Sequence, residues 1–509
     1  MVIDGHSVRS GDVLQADVCL VGAGAAGITL ARCFDGAPFS VCLVESGGFA
    51  PDAATQDLAA GEYEGTVAIP DHLLGSRLRC FGGTTGHWTG WCRPLSGIDF
   101  EERAWVPNSG WPISKRTLDP YYDRAASVLQ IRPFDYELRE VVTPDRPLLL
   151  ADSGKVVTHV FHRSPPTRFG NRYRDELVRS RNVRVCLFTN LLELEVDENA
   201  ATVTCARVGG LDGNRFRVEA KHFVLAAGAI ENSRLLLLSN RVERNGLGNR
   251  HDVVGRYYME HPHLRAGAVT LTDPRINATL YYAHRNERFG HDVAGAFSIA
   301  EQVQRDEHLM NFRVYFGPTA DSGEEAAFRE TVGSALMRLC ALEAGTDGAE
   351  QAPQHFRLGV ASEQAPDPSN RVTLSEERDG LGSRRSKLVW HLSELDSRTV
   401  RRSVEILGRE LGSRAMGRVS LLIDERHPWP AVMGGGPHQL GGTRMHVDPK
   451  KGVVDANCQV HGISNLHVAG SSVFPTGGFA NPTLTIVALA LRLADRIRRL
   501  LGAPTRGEP

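Results

Sequence analysis

The stretch DVCLVGAGAAGITLARCFDGAPFSVCLVE, from Asp17 to Glu45, decides the fold of this chain. An apolar run is followed by a glycine-rich turn, a helical segment and a second apolar run, so the stretch predicts a strand, a turn, a helix and a strand. The expected bounds are 17–22 for the first strand, 28–34 for the helix and 40–44 for the second strand. Such a strand–helix–strand unit predicts an α/β fold.

Three glycines in the turn, Gly22, Gly24 and Gly27, fit the pattern G-x-G-x-x-G. The first permits a tight turn, the second lets a pyrophosphate approach the backbone, and the third lets the helix pack on the strand. Glu45 ends the second strand, where a carboxylate can accept the ribose hydroxyls. A purely structural glycine turn would not require this acid, so the stretch predicts a bound dinucleotide.

Length and composition are those of an ordinary globular protein of more than one domain. The chain has 509 residues, of which 41% are hydrophobic and 23% charged, and its formal net charge is -2. This balance does not favour nucleic acid or an anionic membrane surface as a partner. Nine scattered cysteines without a C-x-x-C pair predict reduced, buried thiols. No export signal or bilayer-length apolar run is visible, so we expect a cytoplasmic protein.

Outside the fingerprint, hydrophobic periodicity and turn residues predict several further elements. Residues 46–80 read as irregular and polar. An amphipathic helix is expected from Leu118 to Leu129, with Ser114 or Thr117 as its cap. The remaining predictions are strands across 183–208, a short buried strand ending in small residues at 221–228, and a C-terminal helix at 485–501.

A second glycine-rich segment, RCFGGTTGHWT from Arg79 to Thr89, would be unusual as a plain surface loop. Its small residues, Gly83 and Thr84 among them, offer backbone donors to a phosphate or to the edge of a flavin ring. His87 and Thr89 offer side chains beside such a ring, although His87 could equally be a hydrogen-bonded structural histidine. The segment favours a flavin dinucleotide over NAD.

Two polar side chains stand out in the C-terminal block from 437 to 490. His438 precedes a Gly-Gly-Thr turn, and Asn481 precedes Pro482 at the start of an apolar helix. An imidazole suits a general base near neutral pH, and an amide can hydrogen-bond an oxygen as charge develops on it. Asn481 could also cap the helix, and the two roles are compatible. Together they suit removal of a proton from an alcohol while a cofactor takes the hydride.

With these segments, the chain resembles the glucose–methanol–choline (GMC) oxidoreductases, flavoproteins that bind FAD and oxidise alcohols. The branch that it resembles most contains pyranose oxidases and the flavin subunits of gluconate and fructose dehydrogenases. Further matching segments are WPISKRTLDPYYDRA (111–125), VLAAGAIENSRLLLLS (224–239), VGRYYMEHP (254–262) and EQAPDPSNRVTL (363–374).

The resemblance implies an α/β fold with a Rossmann-like FAD-binding domain of the GMC/glutathione reductase type. A second, α+β substrate-binding domain built on an antiparallel sheet is expected to pack over the flavin. We expect the FAD-binding domain to be discontinuous, from residues 1–110, 180–261 and 434–509. The substrate-binding domain is then expected from 111–179 and 262–433.

The resemblance also assigns roles to particular positions. His438 matches the catalytic base, and Asn481 matches the residue that hydrogen-bonds the substrate oxygen. His87 matches a histidine that carries FAD covalently in some relatives and not in others. The expected FAD-binding residues are Gly22, Gly24, Gly27, Glu45, Arg79, Gly83, Thr84, His87, Thr89, Val185, Gly470 and Thr483. In this set, Thr89 would lie near flavin N5, Gly470 and Thr483 would contact the flavin through their backbone, and the Val185 backbone would bind adenine.

The expected activity is FAD-dependent oxidation of a secondary alcohol of a sugar, glycoside or cyclitol to the ketone. Proton abstraction by His438 would accompany hydride transfer to flavin N5, and the electrons would pass to dioxygen or another acceptor. Two alternatives stay open: oxidation of a primary alcohol of a glycosidic natural product, and a non-redox lyase of the hydroxynitrile lyase kind. His261 reads as a structural position, and the spacing of histidines and cysteines predicts no metal site.

Overall fold

A computed structural model describes residues 1–317, 354–430 and 438–505. Within these ranges it leaves out residues 68, 70, 132–135, 137, 139–140, 143–147, 273–275, 277, 282–283 and 287–290. Its helices are α1 (Ala25–Phe34), α2 (Ala53–Asp57), α3 (His72–Gly75), α4 (Lys115–Val128), α5 (Phe169–Arg179), α6 (Ala229–Leu238), α7 (Glu301–Glu307), α8 (Glu394–Ser413) and α9 (Thr483–Leu500).

The first sheet contains the fingerprint. Its strands are β1 (Val2–Asp4), β2 (Val13–Val21), β3 (Val41–Val44), β7 (Val183–Leu187), β8 (Asn190–Val196), β9 (Val203–Gly209), β10 (Arg215–Leu225) and β19 (Leu466–Val468). They lie in the order β1-β7-β3-β2-β10-β9-β8, and β19 pairs with β10. The pairs from β1 to β10 and the pair β10–β19 are parallel, whereas β8, β9 and β10 pair antiparallel.

Helices α1, α4, α5 and α9 enclose this sheet in one apolar core. The central strands read as continuous apolar runs because both faces are covered, and Val41–Val44 is fully buried. Helices α4 and α5 lie in the range expected for the substrate-binding domain, yet their apolar faces pack in this first core. The division into two domains therefore stays a proposal, with these two helices placed beside the first sheet.

The second sheet is antiparallel throughout its described pairs. Its strands are β5 (Trp91–Cys92), β6 (Val156–Arg163), β11 (His263–Leu271), β12 (His284–Asn286), β13 (His291–Ile299), β14 (Phe312–Gly317), β15 (Gln354–Ser362) and β18 (Gly417–Leu421). They lie in the order β18-β11-β15-β14-β13-β6-β5, and β12 pairs with β13. Helix α8 packs on this sheet, and a separate apolar core lies between them.

A third, small sheet joins residues that are far apart in sequence. Its strands are β4 (Gly61–Gly65), β16 (Arg371–Arg378) and β17 (Arg384–Trp390), in the order β16-β17-β4. The prediction that residues 46–80 are irregular is therefore wrong, since this range contains α2, β4 and α3. The isolated segment is polar, and β4 is specified by its parallel pairing with β17 rather than by an apolar pattern.

Most other predicted elements are confirmed with shifted bounds. The fingerprint helix begins at Ala25 rather than at residue 28, because Gly24 is its N-cap. The helix predicted from Leu118 begins at Lys115, with Ser114 as the N-cap residue. The eight cysteines in the described ranges form no disulfide. Among these residues, no helix is long and apolar enough to cross a membrane.

Candidate active site

A cavity of about 550 Å³ lies at the carboxyl edge of the first sheet. Strands β2, β10 and β19 are parallel and adjacent, so all three end at this edge. Each is followed by a glycine with positive φ that lines the cavity: Gly22, Gly228 and Gly470. Ligands of α/β sheets bind at the carboxyl ends of the strands, which is where this cavity opens.

The glycines of the fingerprint fall into two kinds. A Cβ at Gly27 would lie 1.9 Å from the Gly22 carbonyl oxygen, and one at Gly22 would lie 2.7 Å from the Ala226 oxygen. These two positions allow no side chain because backbone packs against them. A Cβ at Gly24 or Gly470 would meet no protein atom within 4 Å, and both residues line the cavity. The open glycines leave the backbone accessible to a bound group, as a dinucleotide pyrophosphate requires.

Glu45 lies at the cavity wall but is not free of protein partners. Its Oε2 accepts from the Ala23 amide at 2.7 Å, and its Oε1 accepts from the Gly47 amide at 3.1 Å. Burial raises the pKa of this carboxyl, and the two amides oppose that shift. Each oxygen retains a lone pair, so Glu45 can brace the fingerprint loop and still accept from a ribose hydroxyl.

The predicted residues of the second glycine-rich segment come to the same cavity. Gly83, Thr84, His87 and Thr89 all line it. The segment is tied to the fingerprint by a backbone hydrogen bond from the Gly82 amide to the Ala23 oxygen, of 2.8 Å. Burial, and then the nearby Arg168, lower the pKa of His87. His87 is therefore neutral near pH 7, and its covalent attachment to FAD stays a prediction.

Arg79 lines the cavity with its guanidinium held by protein groups. Its Nη2 lies 2.8 Å from Glu231 Oε2, and its Nη1 donates to Ser46 Oγ at 3.1 Å. Burial would raise the pKa of Glu231, but Arg79 and its neighbours Arg234 and Arg77 outweigh burial and lower it to about 2. Arg79 is thus positioned at the predicted cofactor site through an ionised partner.

Val185 is a predicted cofactor-binding residue that does not line the cavity. It is fully buried in β7, and its amide donates to the Met1 carbonyl oxygen at 2.9 Å. The cavity is lined instead by residues that follow this strand, Thr189, Asn190 and Leu191. Gly27 also does not line the cavity, because it packs against the Gly22 carbonyl oxygen. Gly470 and Thr483 are both at the cavity, as predicted.

His438 and Asn481 meet at the far end of the cavity, where both line its wall. Asn481 Nδ2 lies 3.1 Å from His438 Nε2, and Asn481 Oδ1 accepts from Arg313 Nη1 at 2.9 Å. The Asn481 amide is therefore oriented from both ends: its oxygen faces a guanidinium, and its NH₂ faces the imidazole. Helix α9 has Pro482 at its N-cap position, so the amide serves His438 and Arg313 rather than the helix end.

A chain of hydrogen bonds sets the tautomer of His438. His261 Nε2 lies 3.2 Å from the Gly477 carbonyl oxygen, which can only accept, so this nitrogen carries a proton. His261 Nδ1 is then an acceptor, and it lies 2.9 Å from His438 Nδ1. His438 accordingly carries its proton on Nδ1 and presents a bare lone pair on Nε2 toward Asn481. That arrangement is the one a general base requires.

The surroundings keep His438 neutral. Burial is the largest cause that lowers its pKa well below the ordinary value, followed by the neighbouring His261, His263 and Arg313. Burial likewise lowers the pKa of His261 to about 4. The imidazole is therefore unprotonated at Nε2 across the neutral pH range, which leaves this nitrogen free for the hydroxyl hydrogen.

Sequence reasoning missed three residues of this site: His261, His263 and Arg313. His261 was expected to be structural, but it is the direct partner of His438. The one available signal was the close spacing of His261 and His263, the first residue of β11. Nitrogens of His261, His263 and His438 lie within 4.8 Å of one another, close enough to hold a metal ion, an arrangement that the sequence spacing did not indicate.

Residues 366–490 match a family model described as GMC oxidoreductase. The large subunit of fructose dehydrogenase from Gluconobacter japonicus is 29% identical over 56% of this chain and 48% of its own length. The chain therefore aligns with about half of that relative.

Other matches run over nearly the whole chain. A 2-methyl-1,2-propanediol dehydrogenase from Mycolicibacterium austroafricanum is 24% identical over 95% of both chains. A pyranose 2-oxidase from Tricholoma matsutake is 24% identical over 86% of this chain and 78% of its own. The solved structure of a formate oxidase superposes with a TM-score of 0.56 at 16% identity, covering 97% of this chain and 99% of the other. This likeness confirms the predicted fold class.

Proposed function

Because the chain belongs to the GMC oxidoreductases, with FAD as its cofactor, we propose that it oxidises a secondary alcohol of a sugar, a glycoside or a cyclitol to the ketone. One observation carries the proposal: His438 Nε2 and Asn481 Nδ2 meet 3.1 Å apart at the cavity wall. The substrate class follows the relatives named for fructose and pyranose. The match to the GMC family model supports oxidoreductase activity, and the choice of alcohol is the finer part of the proposal.

The cavity provides the features that FAD requires. Open backbone at Gly24 and the start of α1 suit the pyrophosphate, and Glu45 suits the ribose. His87, Thr89 and Thr483 would lie beside the flavin ring, between the fingerprint and the His438–Asn481 pair. When bound, FAD supplies the acceptor for the hydride that the carbinol carbon gives up. The electrons are proposed to pass on to dioxygen or another acceptor.

His438 is proposed as the base that takes the hydroxyl proton. An alcohol entering between His438 and Asn481 replaces their mutual contact: its O–H donates to Nε2, and its oxygen accepts from Nδ2. Nε2 is the nitrogen left without a proton by the bond from Nδ1 to His261. When Nε2 takes the proton, the Nδ1–H bond to His261 persists and holds the ring in place. His261 thus acts as a positioning residue.

Asn481 is proposed to stabilise the oxygen as negative charge develops on it. Arg313 donates to Oδ1 and so polarises the amide toward its NH₂ end. A pre-oriented donor of this kind gains strength at the moment charge appears, because it need not reorganise. The pair therefore divides the chemistry: His438 removes the proton, and Asn481 holds the oxygen.

An anaerobic reduction experiment tests this proposal. The purified flavoprotein is mixed with pyranoses, glycosides and cyclitols without oxygen, and the visible flavin bands are followed. We expect bleaching by at least one class and a ketone product by NMR. An aldehyde product would point to the primary-alcohol alternative, and consumption of a cyanohydrin without bleaching would point to the lyase alternative. Bleaching by none of the polyols would contradict the proposal, and admission of air separates oxidase from dehydrogenase.

A further inference from the structure

The hairpin between β16 and β17 brings one apolar side chain to the cofactor cavity. Its turn, from Asp379 to Ser383, has the sequence Asp-Gly-Leu-Gly-Ser, with Leu381 in the middle. Residues in such turns are usually polar and face solvent, but Leu381 is partly buried and lines the cavity. Gly382 has a φ of +80°, which suits the tight turn. The turn therefore holds a leucine at the cavity wall.

Arg234 on α6 fixes both ends of this turn. Its Nη2 donates to Asp379 Oδ2 at 2.5 Å, and its Nε donates to the Arg384 carbonyl oxygen at 2.8 Å. The other Asp379 oxygen accepts from the amides of Leu381 and Ser383, both at 2.9 Å. The side chains of Arg234 and Asp379 are buried, so solvent does not compete for these bonds. The protein therefore sets the position of Leu381 before any ligand binds.

A chain of polar contacts links the hairpin to the ribose end of the cavity. Glu231 accepts from Arg234 Nη1 at 2.8 Å, and its other oxygen lies 2.8 Å from Arg79 Nη2. Arg79 donates in turn to Ser46 Oγ at 3.1 Å, and Ser46 Oγ donates to Asn190 Oδ1 at 2.6 Å. All five residues line the cavity, and Ser46 directly follows the predicted ribose acid. The hairpin is therefore connected to the end where we expect the adenosine half of FAD.

The apolar surface of Leu381 points to a flat, apolar part of the cofactor. Among the described residues, Leu381 belongs to none of the apolar cores. Leu191 and Leu235 belong to the first core and line the same cavity. Apolar side chains at a cavity are covered favourably by apolar surface of a ligand. In FAD only the adenine and the flavin are flat rings with apolar faces, and the flavin is required beside His438 and Asn481. Adenine is the group that remains for Leu381.

We propose that Leu381 packs on the adenine of FAD, so that the β16–β17 hairpin latches the adenosine half of the cofactor in place. The fingerprint of the first sheet binds the pyrophosphate, and the third sheet then supplies the latch. Gly380 and Gly382 on either side of Leu381 are exposed, so the leucine lies between the cavity and solvent. Loss of its side chain should therefore open a way out for the adenosine half. The latch concerns FAD alone and is independent of which alcohol is oxidised.

Flavin binding, rather than turnover, tests the latch. Dissociation constants and release rates of FAD are measured by flavin absorbance on the full-length protein. A His87→Ala background removes the predicted covalent attachment and serves as the parent. Leu381→Ala should weaken FAD binding roughly 3- to 10-fold, mainly through faster release, because part of the apolar contact is lost. Leu381→Ile keeps most of the apolar surface and should stay within about twofold of the parent.

Two half-cofactors locate the contact. ADP carries the adenosine half of FAD and FMN carries the flavin half, and each is titrated as a competitor of FAD. Leu381→Ala should weaken ADP by about the same factor as FAD and leave FMN within about twofold. Leu211→Ala is the matched control, because Leu211 Cδ2 would lie 3.0 Å from a Cβ on Gly380 but Leu211 does not line the cavity. This control should bind all three ligands as the parent does.

Three outcomes would overturn the inference. Equal FAD binding by Leu381→Ala and the parent would separate the hairpin from the cofactor. Equal losses for FAD, ADP and FMN would mean that the hairpin shapes the whole cavity rather than the adenine site. A loss in Leu211→Ala as large as that in Leu381→Ala would mean that any change beside the turn loosens it. Melting temperatures verify that the variants fold, and the FAD constants decide the question where a half-cofactor binds too weakly to titrate.

Discussion

The two ends of the cavity are built in different ways. The end at the first sheet is made mostly of backbone: turns at Gly24, Gly228 and Gly470 leave space around the carboxyl ends of parallel strands. The other end is made of side chains that arrive from separate segments, and they form a hydrogen-bonded chain from Arg313 through Asn481 and His438 to His261. No single segment of the sequence supplies all of these hydrogen-bonded side chains.

This difference predicts which kinds of substitution each end of the cavity tolerates. A backbone-built site depends on close packing, so it should respond to added atoms. A site built from linked side chains depends on the position of protons and charges, so it should respond to lost partners even when the fold is unchanged. Substitutions at the two ends should therefore change different measurements. At the backbone-built end they should change cofactor content and stability. At the side-chain-built end they should change the reaction rate and its dependence on pH.

The largest effect is expected from His438→Ala. Loss of a general base typically costs about 10²- to 10⁴-fold in rate, and the backbone-built end should still hold FAD. The measurement is the anaerobic rate of flavin reduction, together with the flavin content of the purified variant. His446→Ala is the matched control, because this histidine belongs to the same C-terminal block but does not line the cavity. Near-normal reduction by the His438 variant would exclude it as the base.

A smaller loss of rate is expected from His261→Phe. The ring size is nearly kept, but the acceptor for His438 Nδ1 is removed, so the tautomer of His438 is no longer fixed. An unpaired buried group costs about 1–3 kcal/mol, which corresponds to roughly 10- to 100-fold in kcat. His261→Asn supplies an acceptor oxygen again and should recover most of this loss. Equal activity of the phenylalanine variant and the wild type would show that the histidine chain has no part in the reaction.

At the backbone-built end, Gly27→Ala and Gly24→Ala form a matched pair. The first methyl would lie 1.9 Å from a carbonyl oxygen, so overpacking should cost about 1–3 kcal/mol of folding stability and lower the Tm of the apoprotein. The second meets no protein atom within 4 Å, so the apoprotein should melt as the wild type does while FAD binds more weakly. Equal melting temperatures for the two apoproteins would contradict the division into packing and ligand-facing glycines.

The smallest effect concerns pH. The pKa of His438 is lowered by burial and then by its positively charged or chargeable neighbours, and the neutral imidazole is the active form. The rate should therefore stay constant, within about twofold, as the pH falls from 8 through the ordinary histidine pKa of about 6.5, and decline only well below it. The pH profile of kcat/KM measures this. A half-maximal rate at or above pH 6.5 would contradict the environment described for His438.

The fold and the cofactor end of the site were largely predictable from the sequence. The fingerprint from Asp17 to Glu45 combines local turn chemistry with a buried strand pattern, and both are properties of one continuous segment. The same holds for the segment from Arg79 to Thr89. Where prediction was wrong, as for strand β4, the segment takes its structure from a partner distant in sequence.

The substrate end was only half predictable, for a related reason. Arg313 carries no local signal of function, and His261 carries only its spacing from His263. Each gains its role from a neighbour more than 160 residues away, at separations of 177 residues for His261 and 168 for Arg313. Val185 shows the opposite error. Its place in a strand was predicted, but in this sheet its amide is already paired with Met1. Only the residues after the strand reach the cavity.

The three glycine turns that follow β2, β10 and β19 have a consequence for how the protein folds during its synthesis. Their positions run from Gly22 to Gly470, so the cofactor end is complete only after the segment that contains Gly470 has been synthesised. The nascent N-terminal fingerprint alone lacks the strand that ends at Val468 and the loop that follows it. We therefore expect FAD to bind late in folding and to stabilise the folded protein rather than its early intermediates.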